Sequence, residues 1–229
     1  MIVIPPGGGE VVGDSPQRRV EIVSDHPSLS ATVARMAAGG EGAGLHVHRH
    51  HSDIFYVLAG ELTVRLGLED EQLRVRAGSL ARVPPMVVHG FRNAGAEEMR
   101  YVNLHAPGMR FADYMRGLRD GRPVVYDQEP PPAFGARPAS DAVAGVAGEG
   151  VLVDVPEIRI AEVIRRGGET PEAGDGDALR SLFVLDGELE MAAAEREIEA
   201  AAGTWIQVEA GTPHTLAFPG PVRYLDIRT

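Results

Sequence analysis

The chain has 229 residues, 44% of them hydrophobic, a formal net charge of −11, no cysteine, and arginine rather than lysine at all 22 strongly basic positions. Without cysteine there are no disulfides, thiolate metal ligands or thiol nucleophiles, and without lysine there is no Schiff-base catalysis. The acidic balance lacks a basic stripe or a helix-turn-helix segment, and neither an apolar run of about 18 residues nor a basic, apolar leader is visible, so we expect a soluble, cytoplasmic protein with no nucleic-acid or membrane partner.

From the N-terminus the pattern is that of strands. "VEIVSD", "LSATVARMAA", "GLHVHRH", "DIFYVLAG", "ELTVRLG", "QLRVRAG", "LARVPP", "VVHGFRN" and "MRYVNLHAP" are short alternating or β-branched runs separated by Gly, Pro, Asp or Asn. Many short strands at close spacing predict a sandwich or barrel, an all-β fold. Phe111, Tyr114, Met115 and Leu118 then recur at helical spacing and predict a short helix over 111–120. The Pro-, Gly- and Ala-rich stretch "DQEPPPAFGARPASDAVAGVAGEG" reads as a long linker or wrapping loop, after which strand patterns resume to the C-terminus.

The two halves repeat one another. "DIFYVLAGEL" at 53–62 matches "RSLFVLDGEL" at 180–189, and "GSLARVPPMVVHGF" at 78–91 matches "GTWIQVEAGTPHTL" at 203–216, in the same order and at similar intervals. An internal duplication of a multi-strand unit explains both matches. The expected organisation is a barrel over 1–110, a short helix and linker over 111–150, and a second barrel over 151–229.

Chemistry concentrates at "GLHVHRHHSDIFYVLAGEL", residues 44–62. On a strand His46 and His48 point to one side, where two imidazoles can reach one ion. Asp53 has the opposite parity and joins them only if the chain turns through the polar "RHHS". It then shares a face with Phe55 and Val57, at the mouth of an apolar interior where a lone carboxylate is costly to desolvate unless paired or metal-bound.

These residues resemble the cupin family. Its first motif, G-x5-H-x-H-x3,4-E-x6-G, fits through His46, His48, Asp53 and Gly60, with the leading glycine at an unusual distance. Its second, G-x5-P-x-G-x2-H-x3-N, fits through Gly78, Pro84, His89 and Asn93, with Met86 in place of the inner glycine. The resemblance implies two tandem jelly-roll β-barrels, a bicupin, and carried over position by position it makes His46, His48, Asp53 and His89 the ligands of one divalent metal ion. Asp53 stands where the family usually has Glu, one C–C bond shorter. In the second half "GGETPEAGDGDALRSLF" has no H-x-H, Arg180 takes the acidic position, and only His214 remains, so that barrel is expected to be metal-free, with packing, dimerisation or an anion as its business.

His50, which shares strand parity with His48, or His51 is an alternative ligand, but both are read as solvated turn residues. Tyr101, Asn103 and His105 alternate and are candidates for the barrel wall near His89, with His105 as a proton-transfer group beside Asp53. Trp205, Phe183 and Leu185 are read as core, although Tyr56, Leu58, Phe183 and Leu185 also suggest an outward face that meets a partner in a homodimer. Three imidazoles and a carboxylate suit Fe(II), Mn(II), Ni(II) or Zn(II), and leave about two octahedral positions open. Phe55, Val57, Val83, Val87 and Phe91 would line the pocket for a small-molecule substrate, phenolic or enolic. The resemblance extends to quercetin 2,3-dioxygenase-like bicupins and implies a dioxygenase. The alternatives are a non-redox isomerase, lyase or polyketide cyclase, and a non-catalytic small-molecule-binding cupin.

Overall fold

A computed structural model describes residues 1–174, 176–193 and 196–229. The chain forms two compact units, Glu10–Gly148, and Met1–Gly9 together with Glu149–Thr229. This departs from boundaries at 110 and 150. The first residues go with the second unit because β1 (Ile2–Ile4) pairs antiparallel with residues 205–207. Residues 111–148 stay with the first because they supply a helix packed on its barrel and a further strand.

The first unit runs β2 (Glu10–Asp14), β3 (Arg18–His26), β4 (Leu29–Met36), β5 (Ser52–Ala59), β6 (Glu61–Leu66), β7 (Glu71–Arg76), β8 (Ser79–Val83), β9 (His89–Arg92), β10 (Met99–Ala106), α1 (Phe111–Asp120) and β11 (Val143–Ala147). Seven strands pair in the order β11-β8-β5-β10-β4-β3-β2, and three in the order β7-β6-β9. Phe55 and Val57 of β5, Val64 of β6, Val75 of β7 and Phe91 of β9 belong to one buried cluster, so the core fills the space between the two sheets, as in a jelly-roll barrel. On the opposite face of β5 Tyr56 is 1% exposed, so it is no outward-facing contact, whereas Leu58 is half-buried.

The helix falls on 111–120 as its periodicity predicts. Phe111 and Met115 are buried, Leu118 is exposed, and Gly121 ends it with φ 63°. Arg116 ties it to the barrel through Glu10 at 2.7 Å and Asp25 at 2.6 Å, and Arg119 adds Glu10 at 2.9 Å. The segment 44–48, expected as a strand, makes only isolated bridges, His46 with His89 and Val47 with Glu129. Extended alternation survives and leaves His46 and His48 on one side.

The second unit runs β12 (Gly150–Val155), β13 (Ile158–Arg165), β14 (Glu172–Gly174), β15 (Arg180–Ala193), β16 (Arg196–Ala201), β17 (Trp205–Val208), β18 (His214–Ala217) and β19 (Val222–Arg228). The long β15 pairs with β17 and β19 along its first part and with β16 and β18 along its second, joining both walls of the barrel. Phe183 and Trp205 are buried there, whereas Leu185 is half-buried. The duplication is visible in the backbone. Gly60 and Gly187, equivalent in the repeat, have φ 73° and 75°, and a Cβ on either would press on a carbonyl of the neighbouring chain, that of Glu98 at 2.8 Å and, closer still, that of Pro221. Among the described residues no helix is long and apolar enough to cross a membrane.

Candidate metal centre

Three separate pieces of chain meet at the mouth of the first barrel. The 44–48 segment brings His46 and His48, the start of β5 brings Asp53, and the start of β9 brings His89. All four side chains are buried, and one ligating atom from each lies within 4.8 Å of the others. His46 Nε2 is 3.2 Å from His48 Nε2, and Asp53 Oδ2 is 3.3 Å from His89 Nε2 and 3.8 Å from His48 Nε2. The aspartate therefore reaches the cluster despite its shorter arm.

The protons are accounted for by the backbone. His46 Nδ1–H donates to the Gly44 carbonyl at 2.8 Å, His89 Nδ1–H to Val87 at 2.9 Å, and His48 Nδ1–H to Asp127. Each neutral ring is thus left with an unprotonated Nε2, and these lone pairs converge. Two of them facing at 3.2 Å repel unless a cation lies between. Protonation is the poorer remedy, because burial, with His89 and His48 adding to it, pushes the His46 pKa down to about 3. Burial works against the Asp53 carboxylate, yet His105, His48 and His89 around it outweigh that and hold it well below the usual range. Donors about 2.1 Å from a common ion lie roughly 3 to 3.5 Å apart. The donor set and its spacing fit a divalent metal ion.

Behind this cluster lies a second one. On β10, Asn103 donates to Asp53 Oδ1, and its own Oδ1 accepts from His105 Nε2–H at 3.1 Å. The Tyr126 hydroxyl is 2.9 Å from His51 Nε2 and 3.0 Å from His105 Nδ1, while His51 Nδ1–H donates to Asp127 Oδ2 at 2.9 Å. A single phenolic proton thus serves two imine nitrogens. Burial, reinforced by Asp53 and Asp127, raises the Tyr126 pKa well above 10, so the hydroxyl stays protonated. Burial also depresses His105 far below its ordinary value, and His51 to about 4. His48, His51 and His105 form a further group whose nitrogens lie within 4.8 Å.

The sequence reading of His51 is corrected here. It is 1% exposed, whereas His50 is exposed as expected of a turn residue. Asp127 opens the Pro-rich stretch and Tyr126 stands immediately before it, where no periodicity draws attention to either. The Val47–Glu129 bridge folds that stretch back over the histidines, and Asp127 Oδ1 and Oδ2 accept from the Arg49 and His50 amides at 2.9 and 2.8 Å.

The four-residue cluster opens on a cavity of about 200 Å³. Its walls include His46, His48, Asp53, Asn103 and His105, with Phe91 and the helix residues Phe111, Tyr114, Met115 and Leu118 on the apolar side. Of the five apolar residues expected to line it, only Phe91 does. Phe55, Val57, Val83 and Val87 lie in the core cluster instead. The helix contributes most of the apolar wall, and Phe111 stacks on His105 with ring centroids 3.7 Å apart.

In the second unit the corresponding place is filled by an ion-pair network. Arg180 donates to Asp226 through Nε at 3.2 Å and Nη2 at 2.8 Å, and through Nη1 to His214 Nε2 at 3.0 Å. That lone pair is engaged, since His214 Nδ1–H already donates to Thr212 at 2.9 Å. Gly174 pairs with His214 as His46 pairs with His89, and a Cβ there would run into the His214 ring.

The sequence matches the cupin domain family over residues 32–105 and again over 161–228. Among curated proteins, no sequence match reaches significance. Solved structures with a similar fold include the protein Ylba from E. coli, 16% identical, with a TM-score of 0.71 over 99% of this chain and 89% of that one. AerE from Microcystis aeruginosa is 14% identical, with a TM-score of 0.66 over 98% and 97% of the two chains. A tryptophan-to-phenylalanine variant of oxalate decarboxylase from B. subtilis is 12% identical, with a TM-score of 0.65 over 100% and 77%. At these identities the likeness is one of fold. The two matched stretches span more than half of the sequence and coincide with its two barrels, and the chain belongs to the cupin domain family, carrying the domain twice.

Proposed function

We propose that this protein is a metalloenzyme that holds one divalent ion, Fe, Mn, Ni or Zn, on His46, His48, Asp53 and His89 and acts on a small organic substrate. The favoured reaction is dioxygenation of a phenolic or enolic compound, in the manner of quercetin 2,3-dioxygenase-like cupins. The observation that supports a catalytic site over a structural one is the cavity: the converging donors are not sealed in by protein but face 200 Å³ of space with one polar and one apolar wall. A bound divalent ion would supply Lewis acidity toward a substrate hydroxyl, with positions left open beyond four protein ligands.

The chain's own residues have distinct tasks. His46, His48 and His89 are held by backbone carbonyls in the tautomer that presents Nε2. Asn103 holds Asp53 Oδ1, which orients the carboxylate as ligand and as acceptor of a substrate proton. His105 stands 3.8 Å from Asp53 Oδ1 in the same wall and is the second group able to carry a proton. Helix α1 shields that wall from water through Phe111 and Met115.

The pairing of Asp53 with His105 favours a second reading, a non-redox isomerase, lyase or cyclase, because two proton carriers on one wall suit proton relocation without O₂. The experiment is elemental analysis of the purified protein, then reconstitution with each metal and a screen of phenols and enols on an oxygen electrode. O₂ uptake coupled to substrate loss supports the dioxygenase. Conversion without uptake supports the second reading, and binding without conversion for every metal leaves a small-molecule-binding cupin. We also propose a homodimer, which a monomeric mass in light scattering at micromolar concentration would refute.

A further inference from the structure

The acidic groups of β2 and β3 are already taken by other arginines. Glu10 is held by Arg116 and Arg119, Asp14 and Glu21 by Arg19, and Asp25 by Arg116. Arg18, at the start of β3, is left without a carboxylate partner among the described residues. Its guanidinium lies 5.5 Å from the centre of the Phe91 ring, and its Nε is buried with no hydrogen-bond acceptor. The buried Tyr101 hydroxyl lies beside it, close enough for the Arg18 guanidinium to act on it by charge and by hydrogen bonding, and has no other partner among the described residues. Arg18 also lines the same cavity as His46, His48 and Asp53.

A guanidinium without a carboxylate in a partly buried wall is costly, and the fork geometry of its donors matches one. The lining points the same way: Asp53 is the one carboxylate among the described residues of the cavity wall, and it cannot balance both a divalent ion and Arg18. The volume is below the roughly 300 to 1,000 Å³ of pockets for drug-sized ligands, which limits the occupant to about one ring and its substituents.

We propose that Arg18 is the substrate-anchoring residue of this cavity and that the substrate is a small organic acid, its carboxylate on Arg18 and its apolar body against Phe91, Phe111 and Met115. This rests on the cavity's being the substrate site in the function proposed above. A single guanidinium, with no second cation lining the cavity among the described residues, suits one carboxylate and not a polyphosphate.

The test is calorimetric titration of the full-length protein with benzoate and with its neutral isostere benzamide, in both chelator-stripped and zinc-reconstituted forms. Benzoate is expected to bind at least about tenfold more tightly than benzamide in both forms. Arg18→Gln should abolish that preference in a protein that still unfolds cooperatively, and Arg18→Lys should retain part of it. Equal affinities in the wild type, no binding of benzoate at millimolar concentration, or a preference that survives Arg18→Gln would overturn the proposal. Failure of zinc to load is a separate result. It would remove the metalloenzyme reading, while the stripped protein still reports on Arg18.

Discussion

His46 and His48 could be read as a pair from strand alternation, and Asp53 as joining them if the chain turned after 48, but His89 and the full set of four came from the resemblance to the cupin motifs, not from local spacing. Arg18, Tyr126 and Asp127 could be read from neither, because β3 and an aperiodic stretch meet the site only through long-range packing. Their roles depend on who their neighbours are, which no local pattern encodes. Replacing His46, His48 or His89 by Ala should abolish tight metal loading, measured by elemental analysis, yet leave cooperative unfolding, because Phe55, Val64 and Phe91 hold the barrel without an ion. Loss of cooperativity in all three variants would make the site structural. The second unit offers a test in pH. Burial opposes the charge of Asp226, but the hydrogen bonds from Arg228 and Arg180 outweigh it and lower its pKa. With a folded-state value below the unfolded-state value of about 3.9, the stabilisation is fully present above about pH 5 and is lost as pH falls through the folded-state value. Asp226→Asn should cost about 3 kcal/mol at pH 7 in urea unfolding, since Arg180 is left buried without its partner, and should flatten the acid limb of the stability profile. An unchanged midpoint at pH 7 would show that the network contributes nothing.

Among the elements, strand periodicity located most strands and the helix, but two departures share one cause. The 44–48 segment keeps the alternation of a strand without a continuous ladder, because its neighbours are His89 and the folded-back residue Glu129, not a full partner strand. Residues 121–142 look like a spacer since they bury little, yet a few specific contacts from Tyr126 to Glu129 fix them over the histidines. Met86 shows the reverse situation. It stands where the second motif carries glycine and still adopts φ 66°, a conformation that costs an L-residue about 1 kcal/mol. The repeat's glycines allow a sharper test. At Gly187 both the positive φ and the Pro221 carbonyl forbid a side chain, so Gly187→Ala should destabilise by about 3 kcal/mol or more. At Gly211, φ is 72° but nothing lies within 4 Å of an added Cβ, and Ala should cost only about 1 kcal/mol. Equal costs in urea unfolding would mean that the close approach of chains at the β15–β19 corner contributes nothing.

For the molecule as a whole, duplication preserved the scaffold and inverted the chemistry. Register lets the comparison be followed by residue: Asp53 lies opposite His105 and Phe55 opposite Asn103 on β5 and β10, whereas Arg180 lies opposite Arg228 and Leu182 opposite Asp226 on β15 and β19. A carboxylate steadied by an amide in one barrel thus corresponds to a guanidinium steadied by a carboxylate in the other. The histidine is common to both, held in the same way by a carbonyl two residues earlier. What changes is the use of its Nε2, free to meet a cation at His89 and accepting from Arg180 at His214. A guanidinium already in that place repels a metal ion and supplies the positive charge itself, and Gly174 supplies no ligand where His46 stands in the first barrel. The expected loading is therefore about one tightly bound divalent ion per chain, measured by elemental analysis after reconstitution and gel filtration. His214→Ala should leave that stoichiometry unchanged, whereas His89→Ala should reduce it to near zero. Two ions per chain, one of them lost with His214→Ala, would refute the inversion and place a second metal centre in the second barrel.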